Sequence, residues 1–529
     1  MAAVIEASTG TSTETSSSGA RRRPDPVAAP VIPGDGTARS VRIVGGALLG
    51  LQLAVMLVFS SIQYSRFGLT NDFANYSQAW WALGHGHLDP YSTGFNIPFW
   101  RDNAEFILWP LSLLYHVDPH PVMLLWLQDV VVVLTEIVAF RWIVRVVETA
   151  PGTIDRRTRS WLAVGAAVVM VVNPWVYETI AYDFHFEPIA ALFCVLVGYD
   201  LWAGRNRRLW VWVPLALVSH VLAGTYLVGI GLSAVVAGRR TRRPGAVVAA
   251  VGLVWVVVFD ALGAAGVQGQ FVGSAYGYLV GPHHGQVGVL DVVAGALGHP
   301  GSVLAMAGSH WSVIAGFVVV AGAAGLLSPW GLGMAVVVLV PNLLDASGLF
   351  IRYGASFQSW PAMPFLLVGS VMVLVRLLQG GGLARRVATV TAVVWATFLA
   401  VFAVLALPTI PRAWLYVSPA AASELAHIEE LIPAGAEVIV SLPVVGRFAQ
   451  RDSVYAFQRP GQTYRVDRRE VVFVLGPHEN FDHPVTPAVL EEASRFVERR
   501  LGARPLASGA GVGAFLWSPP PGTRQITLP

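Results

Sequence analysis

The sequence contains no lysine, a single cysteine and few charges of either sign, and each shortage excludes something. Charged residues make up only 13% of the chain, against about 25% in a soluble globular protein. An ordinary soluble enzyme is therefore excluded. Cys194 stands alone, which rules out an intrachain disulfide and a cysteine-ligated metal cluster. It lies in an apolar run and reads as inert packing. The formal charge of +3 does not point to nucleic acid, because every basic side chain is Arg and most of them flank hydrophobic runs, where they act as topology signals. No P-loop, dinucleotide-binding glycine fingerprint or G-x-S-x-G elbow falls on a strand-to-helix turn. No nucleotide cofactor is expected.

What is abundant is apolar: 54% of the 529 residues are hydrophobic. Windows of about 20 such residues, enough to span a ~30 Å hydrocarbon layer, recur along most of the chain. Residues 1–38 are rich in Ser, Thr, Ala and Pro and have no apolar period, so a disordered cytoplasmic tail is expected there. A first span follows, from Val41 to about Ile62. One topology places nearly all Arg-rich connections on a single side, with the N-terminus in the cytoplasm of a multi-pass plasma-membrane protein. In it, residues 39–408 form roughly ten or eleven membrane segments. Glu105 to His116 is too short to cross and reads as re-entrant or interfacial. Leu209 to Ala237 carries Arg clusters at both ends, which two half-length helices meeting near Ser219 and His220 would reconcile with the charge pattern. Residues 409–529 change character, with alternating strands at Glu437–Val440 and Glu470–Val474 and helix-like stretches at Pro419–Leu431 and Pro487–Leu501, the latter after Thr486 as N-cap. A small extracytoplasmic α/β domain is expected.

Under this topology the unusual polar residues gather on the outer face: Asn71-Asp72, His85, His87, Asp102, Glu105, Tyr182 to Glu187, His220, Asp260, Asp345 and Arg352-Tyr353. Pro188 disfavours helical geometry at Glu187 and suits the first turn of a helix. Alternation before it would let Asp183, His185 and Glu187 face one cavity, where carboxylates and imidazole are acceptable ligands for a divalent cation. They could equally hold a sugar or a phosphate-bound water, and the structural alternative is that they cap the helix and bond neighbouring loops. Asp72 sits among Phe73, Tyr76, Trp80 and Trp81, a spacing that suits an interfacial amphipathic helix; taken alone, its carboxylate reads as an N-cap. Asp129 and Glu136 lie inside a span and should face other helices, because each would cost roughly 2.5–3.5 kcal/mol toward lipid. Arg352 suits a bidentate contact to a lipid phosphate or an anchor to headgroups.

The stretches Asp72 to Trp81 with His85-Gly86, Tyr182 to Glu187, Arg352 to Ala355, and Ile432 to Val438 leading to Arg451 to Tyr455 resemble a prokaryotic family of predicted membrane proteins of unknown function. That family has a D-F-H-P-E-like motif and is grouped with the GT-C superfamily of integral-membrane glycosyltransferases. The resemblance covers roughly residues 45–480. Phe186 stands where the family often has Pro, Asn103 where it often has His, and Ser219-His220 where a Lys-Glu-Asp-like triplet is common. The resemblance implies a mainly α, GT-C-like bundle and transfer of a sugar from a polyprenyl-phosphate-linked donor to an envelope glycan or lipid acceptor. An acidic residue of the first outer loop, here Asp72, would be catalytic. Asp102, Glu105, His220, Arg352 and Tyr353 would then contact substrate, and a metal near Asp183, His185 and Glu187 would stabilise the leaving phosphate. A transporter or lipid flippase, using the broken Leu209–Ala237 segment, and a non-catalytic envelope scaffold or sensor are the competing readings.

Overall fold

The computed structural model describes residues 36–150, 154–262, 266–281, 287–347, 357–477 and 485–529. The expected tail falls largely on residues 1–35, and Arg352 and Tyr353 also lie outside the described residues. The chain is mainly helical. Helix α1 (Gly36–Ser65) leads to α2 (Asn71–Gly84), a short hairpin β1 (Tyr91–Ser92) and β2 (Ile97–Pro98), and two one-turn helices, α3 (Trp100–Asn103) and α4 (Leu108–Leu111). Then come α5 (Val122–Glu148), α6 (Arg156–Val172), α7 (Pro174–Ala181), α8 (Glu187–Ala203), α9 (Leu209–Ser219), α10 (Ala223–Ala237) and α11 (Arg239–Ala261). After α12 (Gly266–Val280) and α13 (Val289–Gly298) follow α14 (Pro300–Gly322), α15 (Pro329–Leu343), α16 (Met363–Leu378), α17 (Gly382–Ala406) and α18 (Ile410–Trp414).

Six helical stretches among the described residues are long and apolar enough to cross a membrane by length and composition. Shorter apolar helices, Ala223–Ala237 and Pro329–Leu343, pack among them. The 27-residue α5 has a length of about 40 Å at 1.5 Å per residue. It touches α1, α8 and α16, and its Trp142 packs edge-on against Trp330 and Phe365 at the centre of the largest apolar cluster. Glu136 of α5 turns inward as expected, facing Gln52 of α1 with Nε2 to Oε1 at 3.5 Å. Where α10 and α11 cross, a Cβ on Gly231 would lie 2.5 Å from the Gly245 carbonyl oxygen, so the two backbones touch through small residues as membrane helices do.

The break expected near Ser219 and His220 is present: α9 ends at Ser219, His220 is extended (φ −165°), and α10 begins at Ala223. No expected membrane segment corresponds to α12 or α13. Both are short, and neither matches the length of a full span.

The C-terminal part holds α19 (Pro419–Leu431), β3 (Glu437–Ser441), β4 (Val454–Phe457), β5 (Thr463–Arg465), β6 (Val471–Leu475), α20 (Pro487–Arg495), β7 (Arg504–Gly509), β8 (Val512–Trp517) and β9 (Gln525–Thr527). The five-stranded sheet has the order β4-β3-β6-β8-β7, with β4, β3 and β6 parallel and β8 antiparallel to both of its neighbours. The two central strands are apolar on both faces because both faces are covered. Val438, Val440, Val472 and Val474 pack with α19, while Ile439, Phe473 and Leu475 pack with α20. Ser418 and Thr486 cap these helices through their hydroxyls, which accept from Ala421 N and Val489 N.

Candidate active site

Helix α2 is built to be held at both sides. Its N-cap is Thr70, whose backbone N and hydroxyl both donate to Asp183 Oδ2, at 2.8 and 2.5 Å. Asp183 itself sits in the left-handed region (φ 76°), a conformation Asp tolerates better than most residues. The amide of Gln128, from α5, fixes the same segment: its Nε2 donates to the Asp183 carbonyl at 2.8 Å and its Oε1 accepts from His185 N at 2.6 Å. The α7–α8 loop is thereby bolted to α5 on one side and to the start of α2 on the other.

One turn into α2, Asp72, Asn75 and Tyr76 share a face by their i, i+3, i+4 spacing. That face meets residues from three other segments. His185 Nε2 lies 3.5 Å from Asp72 Oδ2, and its ring stacks on Phe357 with centroids 3.6 Å apart. Asn75 Nδ2 donates to Asp102 at 2.8 Å, and the Tyr76 hydroxyl donates to Glu105 Oε1 at 3.0 Å. His220, at the break between α9 and α10, places Nε2 3.6 Å from Glu105 Oε1 and 3.5 Å from Glu187 Oε1. Its Nδ1 accepts from Leu222 N at 3.1 Å, so in the neutral ring Nε2 carries the hydrogen that faces the two carboxyls.

Asp72 is the open member of the group. Its side chain is 37% exposed, whereas Asp102, Glu105, Glu187, His185 and His220 are all buried. Burial and the Asp72 carboxylate push Asp102 up to about 7. Burial, with Asp102 and Glu187 nearby, holds Glu105 well above the usual carboxylate range. Asp183 is raised by burial to about 6 although the Thr70 hydrogen bonds oppose the shift. Burial lowers the His185 imidazole, but the Asp72 and Glu187 carboxylates outweigh it and the net shift is upward. Burial thus favours the protonated form of Glu105, which can donate a hydrogen bond, while Asp72 beside it is open to solvent. Glu105 Oε2, Glu187 Oε2, Asn75 Oδ1 and His185 Nδ1 are buried with no partner among the described residues. Such atoms are what a polyhydroxylated ligand would satisfy.

Asp72, Asp102, Glu105, His185, Glu187 and His220 therefore come together from four stretches of chain. Others do not join. His85 and His87 are exposed beyond the C-terminal end of α2, and Asp345 bonds Ser347 beside it. Asp183, His185 and Glu187 do not face one cavity: the left-handed turn at Asp183 sends its carboxylate to Thr70, while His185 meets Asp72 and Glu187 meets His220. Among the described residues no group of three His, Cys, Asp or Glu side chains is placed to hold a metal ion. Nor is α2 an interfacial helix with Asp72 as its cap: Thr70 is the cap, and Phe73, Tyr76 and Trp80 are buried in protein. Asn75 and Tyr76 were not singled out for the site, although their spacing from Asp72 on one helix was the signal available.

An adjoining face of α2 is covered by the C-terminal domain. Gln78 Nε2 donates to the carbonyls of Arg451 and Asp452, Gly446 N donates to the Leu69 carbonyl, and the Thr93 hydroxyl bonds both N and O of Val454 on the edge strand β4. The Arg447 guanidinium lies over the Phe67 ring, 3.8 Å from its centroid. The domain and the site thus share one helix.

The family described as "Predicted membrane protein (DUF2079)" matches residues 67–488. Two crystal structures of ArnT from Cupriavidus metallidurans, one bound to undecaprenyl phosphate and one in the apo state, resemble the chain at 12% identity. Their TM-scores are 0.43 and 0.47, with 88% and 89% of this chain and 97% and 98% of theirs covered. A likeness this loose equates no side chains. Among curated proteins, none matches.

Proposed function

The chain belongs to the DUF2079 family of predicted membrane proteins, and from that premise we propose that it is a membrane glycosyltransferase. In this reading it moves a sugar from a polyprenyl-phosphate-linked donor to an envelope glycan or lipid acceptor at the outer face of the plasma membrane. The N-terminus is cytoplasmic and the C-terminal domain outside. The observation that carries the reading is the convergence of five buried titratable side chains on one half-exposed carboxylate, Asp72, with buried oxygens beside it that lack partners among the described residues. The sequence resemblance to GT-C enzymes supports it independently.

The chemistry asks for a base at the acceptor hydroxyl. Asp72 takes that proton as the acceptor oxygen forms its bond to the sugar's anomeric carbon, and the bond from that carbon to the phosphate oxygen breaks, its electron pair leaving with the lipid phosphate. His185 positions Asp72, being stacked on Phe357 and fixed through its backbone by Gln128. Asp102, Glu105, Glu187 and His220 line the place where sugar hydroxyls would be received. By sequence resemblance, Arg352 meets the leaving phosphate and Tyr353 contacts the substrate. Chelation and add-back of a divalent cation read whether transfer needs one.

The test is transfer of a labelled sugar from a polyprenyl-phosphate donor in membranes. Asp72→Asn is expected to abolish product while insertion and expression stay normal; full retained transfer removes Asp72 from the reaction. The break at His220 is the one feature that favours a transporter, and uptake into proteoliposomes without covalent transfer would establish that reading instead.

A further inference from the structure

At the end of the bundle away from Asp72, α1, α5 and α8 enclose a groove of about 540 Å³. Its place follows from the helices themselves. Gln128 on α5 and Glu187 on α8 belong to the site, and Arg141 and Tyr199 lie 13 and 12 residues further along, about 20 and 18 Å at 1.5 Å per residue. The walls are apolar, with Leu49, Ile137, Phe140 and Val144, and the rim carries Arg42, Arg141, Arg145 and the Tyr199 ring.

The charges are unbalanced. Arg42 is paired with Glu148 at 2.7 Å. Asp200, the nearest acid to Tyr199 along α8, faces Arg205 at 3.7 Å and accepts from Trp212. Arg141 and Arg145, one turn apart on one face of α5, have no carboxylate partner among the described residues, and both are exposed. Two free guanidiniums over an apolar trough match a ligand with an anionic head and a hydrocarbon tail, and a guanidinium fork fits phosphate oxygens. Gly46 opens onto the trough: a Cβ added there meets nothing within 4 Å.

We propose that this groove binds an anionic phospholipid, with its phosphate between Arg141 and Arg145 and an acyl chain along Leu49, Ile137 and Phe140. The site is separate from the Asp72 cluster and does not depend on the transferase reading. A net-negative lipid is favoured over a zwitterionic one because one glutamate neutralises only one of three arginines.

Purified full-length protein in neutral detergent is titrated with phosphatidylglycerol, phosphatidylcholine or inorganic phosphate, and bound lipid is read by native mass spectrometry. Phosphatidylglycerol is expected to bind at least about tenfold tighter than phosphatidylcholine, and millimolar phosphate should leave it in place. Arg141→Gln with Arg145→Gln should bring phosphatidylglycerol down to the phosphatidylcholine level. Gly46→Leu, which fills the trough without touching a charge, should weaken phosphatidylglycerol binding at unchanged melting temperature. The proposal is overturned by equal affinity for the two lipids, by undiminished binding in either variant, or by displacement with inorganic phosphate, which would make the arginines a site for free anions.

Discussion

The two faces of helix α2 are finished to different standards. Toward the C-terminal domain, Gln78 has every amide atom matched: Oε1 accepts from Thr93 N, and Nε2 donates to the carbonyls of Arg451 and Asp452. Toward the loops, Asn75 and Tyr76 each satisfy one acid, and four buried polar atoms around them have no described partner. An unmatched buried polar group costs about 1–3 kcal/mol. One face therefore reads as a permanent joint and the other as a surface completed by a ligand.

The contrast can be broken by substitutions that exchange the two behaviours. The largest effect is expected from Asp72→Asn, which should lower sugar transfer by about 10²–10⁴-fold, the usual worth of a general base, with melting temperature unmoved. A parallel fall in stability would place Asp72 with the joint instead. Gln78→Ala should do the reverse, lowering stability by about 1–3 kcal/mol through the carbonyls it strands and reducing transfer only as far as folded protein is lost; chemical denaturation measures it. Glu105→Gln should change stability by less than about 1 kcal/mol, because a protonated acid and an amide are similar in shape and both donate. A large loss on denaturation would show that Glu105 is ionised in the fold.

The smallest effect concerns pH. Asp102 has a folded pKa near 7, above the ~3.9 of an unfolded chain, so the folded state holds its proton more tightly. The stability this contributes is complete below about pH 4 and is lost as pH rises through 7. Asp183, near 6, acts in the same direction. Wild-type protein should melt a few degrees higher at pH 5.5 than at pH 8 from these groups, and Asp102→Asn should reduce that difference. An unchanged pH slope in the variant would assign the effect elsewhere.

Much of this was legible in the chain. Low charge and recurrent apolar windows announce the helical bundle, the opposed Arg clusters around Leu209–Ala237 announce the break at His220, and Pro419 and Thr486 mark the helices of the C-terminal domain. Asp72, Asp102, Glu105, His185, Glu187 and His220, which the fold brings together, also stand out as polar residues in an apolar chain. What escaped was set by long-range packing. The aromatic spacing of α2 looks interfacial because nothing local reveals that Phe99, Leu108, Leu125, Phe184 and Phe186 close over Phe73, Tyr76 and Trp80. Alternation placed Asp183, His185 and Glu187 together only on the premise of a regular extended segment, and the positive φ at Asp183 removes that premise.

The arrangement at His220 has a consequence for communication inside the site. With Nδ1 occupied by Leu222 N, the imidazole has a single hydrogen to offer and two acids within reach of it, on Glu105 and Glu187. One hydrogen cannot serve two acceptors at full strength, so it leans to whichever carboxyl carries more charge. If Glu105 and Glu187 receive sugar hydroxyls as proposed, a hydroxyl bound to one acid would leave the ring hydrogen to the other, so the two carboxyls would compete for a single donor held at the break between α9 and α10.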